Sequence, residues 1–330
     1  MTKVVAFGAG KFYLDRKEAI KKEYEIVAFL DNDTSKIGKV FDGRKIFSPE
    51  EISNYQDMKI LITSSYRYEI IDQLMEMGME EERILCVFPE WMKECDSVPN
   101  VVRGGGVKIC LHGISAVLHD SVEEMICREI WYSEEYNINL AKDSIVIDIG
   151  LNIGMASLFF ANKEYVKKVY AFEPDKRVYE KAIHNISLNE KIRDKIETFN
   201  VACANTDKQE TYLIDSRESA GIFQRNNVLN SKCGEIEVTC VDAARVLGDI
   251  IDQHYGYEKI LIKCDCEGAE YEIFYRLEEA GYFDKINAFV MEWHDGRRSE
   301  IEKIFERNNF AYIISENRRG IFGLCYAVKI

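Results

Sequence analysis

The chain has 330 residues, of which 47% are hydrophobic and only four are Pro. This length favours two folded units or one enlarged α/β unit, and the composition argues against long disordered segments. The formal net charge of -14 argues against a nucleic-acid backbone or an anionic membrane surface as partner, because proteins normally bind both with clustered Lys and Arg.

Cysteine usage and the absence of long apolar runs bear on the location of the protein. The ten Cys form no paired Cys-x-x-Cys elements, so the sequence predicts neither a zinc site nor a disulfide framework. Met1 is followed at once by a short strand and a glycine turn, which do not form a secretory signal. No apolar run approaches the roughly 20 residues of a membrane span. We therefore expect a cytoplasmic protein with reduced thiols and no membrane span.

The chain begins with a β-α-β pattern of the kind that binds nucleotides. A strand and glycine turn run from Val4 to Gly10, a charged helix follows, and a second strand ends at Asp31. Asp31 follows Gly10 by about 20 residues, the spacing at which a carboxylate meets ribose hydroxyls in dinucleotide folds. Tyr13 replaces the third glycine of the G-x-G-x-x-G pattern. Gly8 and Gly10 therefore either form a nucleotide site with Asp31 or merely permit a tight turn.

Further predicted elements complete an N-terminal unit of residues 1–90. They are a strand at Lys59–Thr63, a helix at Tyr68–Met77 and a strand at Arg83–Val87. With its Gly8-Ala9-Gly10 turn, Asp31-Asn32-Asp33 run and Lys36-Ile37-Gly38, this unit resembles the small Rossmann-like domain that precedes some sugar-modifying transferases. The resemblance implies a nucleotide-sugar ligand.

Residues 91–140 have a less regular pattern, which we interpret as a lead-in layer to the second unit. A strand is predicted at Val107–His112 and a helix at Ser121–Tyr132. Trp131 and Tyr136 either close over a ligand or pack in the core.

A second strand and glycine turn open the C-terminal unit, residues 141–330. The apolar strand Ser144–Asp148 is of the kind that is buried on both faces of a parallel sheet. The turn after it has Gly-x-x-x-Gly spacing, whereas a dinucleotide fold would have G-x-G-x-x-G and lay a pyrophosphate on the helix N-terminus. S-adenosylmethionine has no phosphate, and its methionine tail and ribose need a carboxylate and open backbone groups. We predict that it binds here, to Asp148, Gly150, Asn152 and Gly154.

Two further strand ends are expected to complete this cofactor site. The strand Lys168–Glu173 ends in an acid about 20 residues after Gly154, the distance for a bidentate grip on ribose hydroxyls. The alternative for Glu173 is a solvated acid at a strand end. The third strand, Ile196–Val201, ends near Asn200, from which adenine would be contacted.

Acidic side chains and a histidine follow the next two predicted strands. The fourth strand runs into Asp265 and Glu267, and the fifth delivers Glu292 and His294. Because ligands of open α/β sheets bind at the carboxyl ends of the strands, we expect these side chains to converge at one edge. Such a cluster is unfavourable unless it binds a ligand or shares protons.

Four motifs give the C-terminal unit a family resemblance. In chain order they are VIDIGLNIG at 146–154, AFEPD at 171–175, KCDCEGAE at 263–270 and MEWH at 291–294. With them, residues 141–330 closely resemble the FkbM-type methyltransferase family. The resemblance implies S-adenosylmethionine as the donor, a hydroxyl acceptor on a sugar or natural product, and a seven-stranded sheet. Its last hairpin would be antiparallel, at Phe310–Ser315 and Ile321–Lys329. Cys264 and Cys266 replace aliphatic residues common in the family, and we interpret them as core residues.

Methyl transfer to a hydroxyl needs a base, and the catalytic candidates are Asp265, Glu292 and His294. Asp265 or His294 would take the proton, since an unperturbed pKa near ~6.5 suits His294, and Glu292 would orient His294 or meet the donor's ammonium group. Glu267 is assigned to the cofactor. Alternatively His294 only bonds to backbone, or Asp265, Glu292 and His294 hold a divalent ion such as Mg²⁺, although the spacing requires no metal. Lys263 would pair with one of the acids and be structural.

The run from Asp215 to Cys233 interrupts the sheet pattern, and we predict a loop that selects the acceptor. Arg217 and Arg225 would meet a phosphate or an acidic sugar there, unless they are ordinary solvated arginines.

The combined expectation is an α/β protein: a class I methyltransferase sheet, Rossmann-like, preceded by a smaller Rossmann-like domain. It would methylate a hydroxyl of a sugar, glycan precursor or similar natural product, as in polysaccharide biosynthesis. We expect the substrate to be a small molecule or a sugar, with or without a linked nucleotide, and we expect no nucleic-acid partner. The sequence is compatible with a homo-oligomer. The alternatives are a nicotinamide-dependent oxidoreductase that uses the Gly8–Gly10 turn, and a nucleotide-sensing protein without catalysis.

Overall fold

The computed structural model describes residues 1–140, 142–215, 222–223 and 233–330. The chain divides into two compact units, Met1–Glu124 and Met125–Ile330. The division falls inside the segment 91–140 that the sequence marks as a lead-in, so the three-part division remains a prediction. Within the described residues, no helix combines the length and the apolar character needed to cross a bilayer.

The N-terminal unit is built on a six-stranded, mostly parallel sheet in the order β3-β4-β2-β1-β5-β6, followed by a three-stranded antiparallel sheet, β7-β8-β9. Its elements are β1 (Thr2–Phe7), α1 (Lys11–Glu23), β2 (Tyr24–Leu30), β3 (Val40–Phe41), β4 (Arg44–Phe47), β5 (Lys59–Ile62), α2 (Arg67–Glu76), β6 (Ile84–Cys86), β7 (Asn100–Val101), β8 (Val107–Leu111) and β9 (Ile114–Leu118). Helix α3 (Ser121–Cys127) crosses the division between the units. The predicted smaller Rossmann-like unit is confirmed.

One hairpin of this unit was not predicted. β8 matches the expected strand, but β9 follows it after only two residues, His112 and Gly113, and pairs with it antiparallel. Both turn residues have positive φ, 52° and 77°, which is the geometry of a tight hairpin turn.

The C-terminal unit contains a seven-stranded sheet in the order β12-β11-β10-β17-β18-β20-β19. Its elements are β10 (Ser144–Ile149), α4 (Met155–Ala161), β11 (Val166–Phe172), α5 (Lys176–Ser187), β12 (Ile196–Phe199), β13 (Ala202–Ala204), β14 (Lys208–Asp215), β15 (Ile222–Phe223), β16 (Cys233–Asp242), α6 (Ala243–His254), β17 (Lys259–Cys264), α7 (Glu270–Glu279), β18 (Ala288–Trp293), α8 (Arg298–Arg307), β19 (Phe310–Ile314) and β20 (Gly323–Lys329). Strand β20 is antiparallel to both β18 and β19. The predicted sheet and its C-terminal antiparallel hairpin are confirmed.

The central strands are apolar because both faces of the sheet are covered. Every residue of β10 is buried, and β17 has only its first residue partly exposed. Both strands run parallel and in register, with Ile149 opposite Cys264. Their carboxyl ends therefore meet at the same edge, where the glycine turn and the KCDCEGAE motif both begin.

A cluster of aromatic rings fixes β18 in place. Phe289 on β18 lies 5.0–5.3 Å, centroid to centroid, from the rings of Phe274, Phe283, Phe305 and Phe310. Burying each such ring contributes about 1.5–3 kcal/mol. The residues that follow Phe289 on β18 are thus delivered to the sheet edge by a rigid core.

Candidate active site

The glycine turn after β10 has three residues with positive φ: Gly150 at 89°, Asn152 at 50° and Gly154 at 92°. At Gly150 a Cβ atom would lie 1.9 Å from the backbone carbonyl oxygen of Asp265. Glycine is therefore required here by the backbone that follows β17, as well as by the backbone angle. At Gly154 the nearest atom would be an ordinary 3.5 Å away, on Ala182.

Glu173, at the end of β11, ties the neighbouring turns together. Its carboxylate oxygens accept hydrogen bonds from the backbone N–H of Asn152 and of Asp175, each at 2.9 Å. Burial raises the pKa of Glu173 to about 7. A carboxylate oxygen can accept more than one hydrogen bond, so this arrangement leaves capacity for ribose hydroxyls. The buried position differs from the solvated strand-end acid that was the alternative, and the role in ribose binding stays a prediction.

Asp148 lies beneath the turn, fully buried. Its Oδ2 accepts from the Ser157 hydroxyl at 2.6 Å, and its Oδ1 lies 3.1 Å from Nζ of Lys263. The Lys263 ammonium also donates to the carbonyl oxygen of Gly150 at 2.6 Å. Burial alone would lower the pKa of Lys263, but the charges of Asp148 and Asp265 and the hydrogen bond to Asp148 together outweigh it and raise that pKa. The pair supports the turn from below, which favours an indirect action of Asp148 on the donor.

Asn200 and Trp131 bond to backbone groups of the donor side. The exposed Asn200 donates from its amide to the carbonyl oxygens of Glu173 and Pro174, at 2.8 and 3.2 Å. The buried Trp131 donates to the carbonyl oxygen of Met155 at 3.2 Å, which places it in the core as one alternative had it. Contact of Asn200 with adenine stays a prediction.

The predicted cluster forms at the carboxyl ends of β17 and β18. Nε2 of His294 lies 3.6 Å from a carboxylate oxygen of Glu267 and 4.0 Å from one of Glu292. The donor atoms of Asp265, Glu267 and His294 all lie within 4.8 Å of one another. The convergence expected from the strand order is therefore present.

Two buried residues that the sequence did not assign to this cluster hold it in place. Glu270, which is fully buried, lies 2.7 Å from Nδ1 of His294. Tyr136, which is 5% exposed, donates its hydroxyl to Oδ2 of Asp265 at 3.0 Å. Glu270 stands in the quoted KCDCEGAE motif, and that was its only signal; Tyr136 was considered only as a packing or lid residue.

The electrostatics of the cluster correct one expectation about His294. Burial alone would lower the pKa of the imidazole, but the hydrogen bond to Glu270 and the surrounding carboxylates outweigh it and raise the pKa to about 10. Burial, together with the charge of Asp265, raises the pKa of Glu292. The unperturbed pKa expected for His294 is thus wrong, because the ring faces carboxylates on both sides. A raised pKa favours the protonated ring and makes Asp265 the better candidate for the base, and the catalytic role of His294 stays a prediction.

The N-terminal glycine turn also has an acid at the end of the following strand, Asp31, and this acid already forms an ion pair with Lys36. Oδ2 of Asp31 accepts from the backbone N–H of Ala9 and from Nζ of Lys36, both at 2.9 Å. A Cβ at Gly8, whose φ is 118°, would lie 2.8 Å from the carbonyl oxygen of Thr63. Gly10 has space around it. A nucleotide site at Gly8, Gly10 and Asp31 stays a prediction.

Arg217 and Arg225, the predicted acceptor-binding residues, lie outside the described residues.

Comparisons with known proteins agree with these two units. The family described as "Methyltransferase FkbM domain" matches residues 148–315, just over half of the chain, and the family described as "C2185-like, N-terminal" matches residues 1–85.

Individual relatives are distant. "Methyltransferase sdnD" of Sordaria araneosa is 26% identical over 213 residues, which cover 57% of this chain and 82% of that protein. "AMB antimetabolite synthetase AmbE" of Pseudomonas aeruginosa is 25% identical over 250 residues, 62% of this chain, but the match spans only 12% of the synthetase. A solved structure of methyltransferase FkbM from Methylobacillus flagellatus has a TM-score of 0.40 and 14% identity, and the match covers 99% of this chain and 90% of that one.

Proposed function

Because this chain belongs to the FkbM family of S-adenosylmethionine-dependent methyltransferases, we propose that it is an O-methyltransferase whose acceptor is a hydroxyl of a sugar, a glycan precursor or a similar small natural product. The donor binds at the glycine turn after β10, and the acceptor hydroxyl is brought to the edge formed by Asp265, Glu292 and His294.

The observation that carries this proposal is the contact between the two halves of the site. The turn at Gly150 touches the backbone of Asp265, so a donor held on that turn lies next to the acidic cluster. Cofactor residues in the proposal are Asp148, Gly150, Asn152, Gly154, Glu173, Asn200 and Glu267, with Asp148 acting through Lys263 and the turn.

The reaction needs an activated oxygen, because the sulfonium already makes the methyl group electrophilic. A carboxylate of the cluster, Asp265 or Glu292, takes the hydroxyl proton as the oxygen attacks the methyl carbon. The carbon–sulfur bond breaks, its electron pair stays on sulfur, and the products are the methyl ether and S-adenosylhomocysteine. Positioning the two reactants in line supplies a barrier reduction of several kcal/mol in favourable cases.

The charge at this edge favours a neutral, hydroxyl-rich acceptor. Asp265, Glu267 and Glu292 surround one imidazole, and carboxylates accept hydrogen bonds from hydroxyls but repel anions. A sugar meets this condition, with or without a nucleotide whose phosphates lie away from the cluster.

Titration calorimetry with S-adenosylmethionine, S-adenosylhomocysteine, NADH and UDP-sugars tests the donor assignment. We expect the first two to bind, and Glu173→Ala to abolish their binding because the ribose loses its acceptor. Binding of NADH alone would favour the oxidoreductase instead.

A second measurement tests the acceptor side: release of S-adenosylhomocysteine in the presence of a panel of sugars and nucleotide sugars. Asp265→Asn and Glu292→Gln should spare donor binding and reduce turnover by about 10²-fold or more. If these two variants bound the donor more weakly but kept normal turnover at saturating donor, Asp265 and Glu292 would be donor-binding residues and would not take part in catalysis.

A further inference from the structure

We propose that Asp265, Glu267 and His294 bind one divalent metal cation beside the methyl-transfer site. The set offers two carboxylates and one imidazole, whose donor atoms lie within 4.8 Å of one another. Ligand atoms bound to one cation at about 2.0–2.2 Å lie roughly 3–4 Å apart, so small rotations of these side chains would complete the site. The role of the bound cation rests on the proposed function; its binding does not.

One ring nitrogen of His294 is fixed by a buried carboxylate, and this leaves the other ring nitrogen available to bind a metal. Its Nδ1 faces the carboxylate of Glu270 at 2.7 Å, and Glu270 is fully buried at the start of α7. The second ring nitrogen, Nε2, is thereby turned toward Glu267, 3.6 Å away. Histidines that bind metals almost always give their other ring N–H to a carboxylate, a carbonyl or water, which fixes the tautomer and the ring orientation.

Asp265 has an orienting partner of its own. The buried Tyr136 donates to Oδ2 of Asp265 at 3.0 Å and leaves Oδ1 for a further ligand. Asp265 and His294 are thus each positioned by a side chain that is at least nine-tenths buried.

The local charge favours a cation as well. Asp265, Glu267, Glu270 and Glu292 face the single imidazole of His294, while Lys263 is engaged with Asp148. Oε2 of Glu270 is buried and has no hydrogen-bond partner among the described residues. Bringing several carboxylates together beside one imidazole is unfavourable because like charges repel, and a divalent cation offsets that repulsion.

The donor set indicates which cations fit. An imidazole with two carboxylates suits Mn²⁺, Fe²⁺, Co²⁺ or Zn²⁺ better than Mg²⁺, which prefers oxygen ligands and retains its waters. The set also differs from the one considered from sequence, since Glu267 takes the place of Glu292. Glu267, which the proposed function assigns to the donor, would here bind the cation. A cation held there would lower the pKa of a nearby acceptor hydroxyl, and Glu292 would be left to take its proton as the oxygen attacks the methyl carbon and the carbon–sulfur bond breaks.

Titration with Mn²⁺ alone tests the site on the full-length protein after treatment with a chelator. The electron paramagnetic resonance signal of free Mn²⁺ reports binding without any turnover. We expect one Mn²⁺ per chain, and at least tenfold weaker binding in Glu267→Gln and in His294→Ala. Glu270→Gln, which removes a positioning residue and no ligand, should weaken binding about tenfold or more.

Asp194→Asn is the matched control, because Asp194 is exposed and precedes β12 at the opposite edge of the sheet. It should bind Mn²⁺ as the wild type does. Glu267 has a half-exposed side chain, so Glu267→Gln should fold even where His294→Ala does not, and thermal unfolding verifies this.

Two results would overturn the cation site: no Mn²⁺ binding by the wild-type protein, or equal binding by the wild type and Glu267→Gln. S-adenosylmethionine calorimetry on the same preparation separates the two proposals. Donor binding without Mn²⁺ binding removes only the cation site, whereas Mn²⁺ binding without donor binding removes the proposed function and leaves the site.

Discussion

At the scale of single residues, Gly150 was predicted for one reason and is required for another. The sequence suggested that a missing Cβ would let backbone approach the donor. In the structure, the Asp265 carbonyl oxygen occupies the place of that Cβ, 1.9 Å from its ideal position. The carbonyl group comes from a residue 115 positions later in the chain, so no local pattern could reveal it.

We expect Gly150→Ala to lower the free energy of unfolding by about 3 kcal/mol or more and to abolish donor binding. A φ of 89° alone makes alanine unfavourable, and the carbonyl of Asp265 would have to move. Urea denaturation and S-adenosylmethionine calorimetry measure the two effects. Gly10→Ala is the control, because Gly10 has no neighbour within 4 Å of an added Cβ; equal behaviour of the two variants would contradict the prediction.

Glu173 should make stability depend on pH. Burial raises its pKa to about 7 from an ordinary 4.5, so the folded state holds the proton more tightly than the unfolded state does. Its contribution to the free energy of unfolding therefore falls as pH rises from 4.5 through 7, by about 3 kcal/mol in all. The wild-type value minus that of Glu173→Gln, measured by urea denaturation from pH 4.5 to 7.5, should fall by this amount. A constant difference would show that Glu173 is not protonated in the fold.

At the scale of elements, the strands that could be predicted from the sequence are those buried on both faces of the sheet. β10, β11, β17 and β18 are buried on both faces, so their apolar runs stand out. The four-stranded sheet of β13 to β16 was missed. Strand β14 begins with four polar residues, 208–211, and has no long continuous apolar run, so it does not stand out as a strand. Its antiparallel pairing with β16 also bridges a long intervening segment.

Strand order predicted which side chains of the candidate site come together, but it did not predict the residues that orient them. Neighbouring parallel strands bring Asp265, Glu292 and His294 to one edge, and this follows from sequence. The partners that orient these side chains do not follow. Glu270 and His294 are 24 residues apart, and Tyr136 and Asp265 are 129 apart, so each contact depends on packing that a strand pattern does not encode.

The buried pair beneath the donor turn should be important for stability. Lys263→Met removes the partner of a fully buried Asp148, and we expect a loss of about 3–5 kcal/mol in the free energy of unfolding. Urea denaturation measures it. Lys167→Met, which breaks an exposed pair with Asp143, should cost less than about 1 kcal/mol. A double variant, Asp148→Leu with Lys263→Met, should recover part of the lost free energy of unfolding. If Lys263→Met alone cost no more than Lys167→Met, the buried pair would be dispensable for stability.

At the scale of the whole molecule, the chain repeats one construction twice, with different outcomes. In each unit an acid at the end of the second strand accepts from the backbone N–H of the glycine turn: Asp31 from Ala9, and Glu173 from Asn152. In the N-terminal unit Lys36 also pairs with the acid. The family match accounts for the C-terminal motifs, which the oxidoreductase alternative left unexplained.

We therefore expect one S-adenosylmethionine per chain, although two Rossmann-like units are present. Lys36 neutralises the charge of Asp31 in the N-terminal unit, whereas Glu173 accepts from backbone N–H groups, so Asp31 is the weaker partner for ribose hydroxyls. Calorimetry of the full chain should give a stoichiometry near one, and Asp31→Ala should leave both stoichiometry and affinity unchanged. A second site, or a loss of binding in Asp31→Ala, would contradict this.

The contact of Gly150 with the Asp265 carbonyl has a thermodynamic consequence. We expect a ligand that draws the donor turn inward to shift the backbone that carries Asp265, and a ligand on Asp265 to shift the turn in return, because the two segments are in direct contact. The two ligands are then coupled, and the factor by which the donor tightens the acceptor must equal the factor by which the acceptor tightens the donor. Gly150, which the sequence suggested only for donor binding, is thus expected to make the affinity for the donor depend on the acceptor, and the reverse.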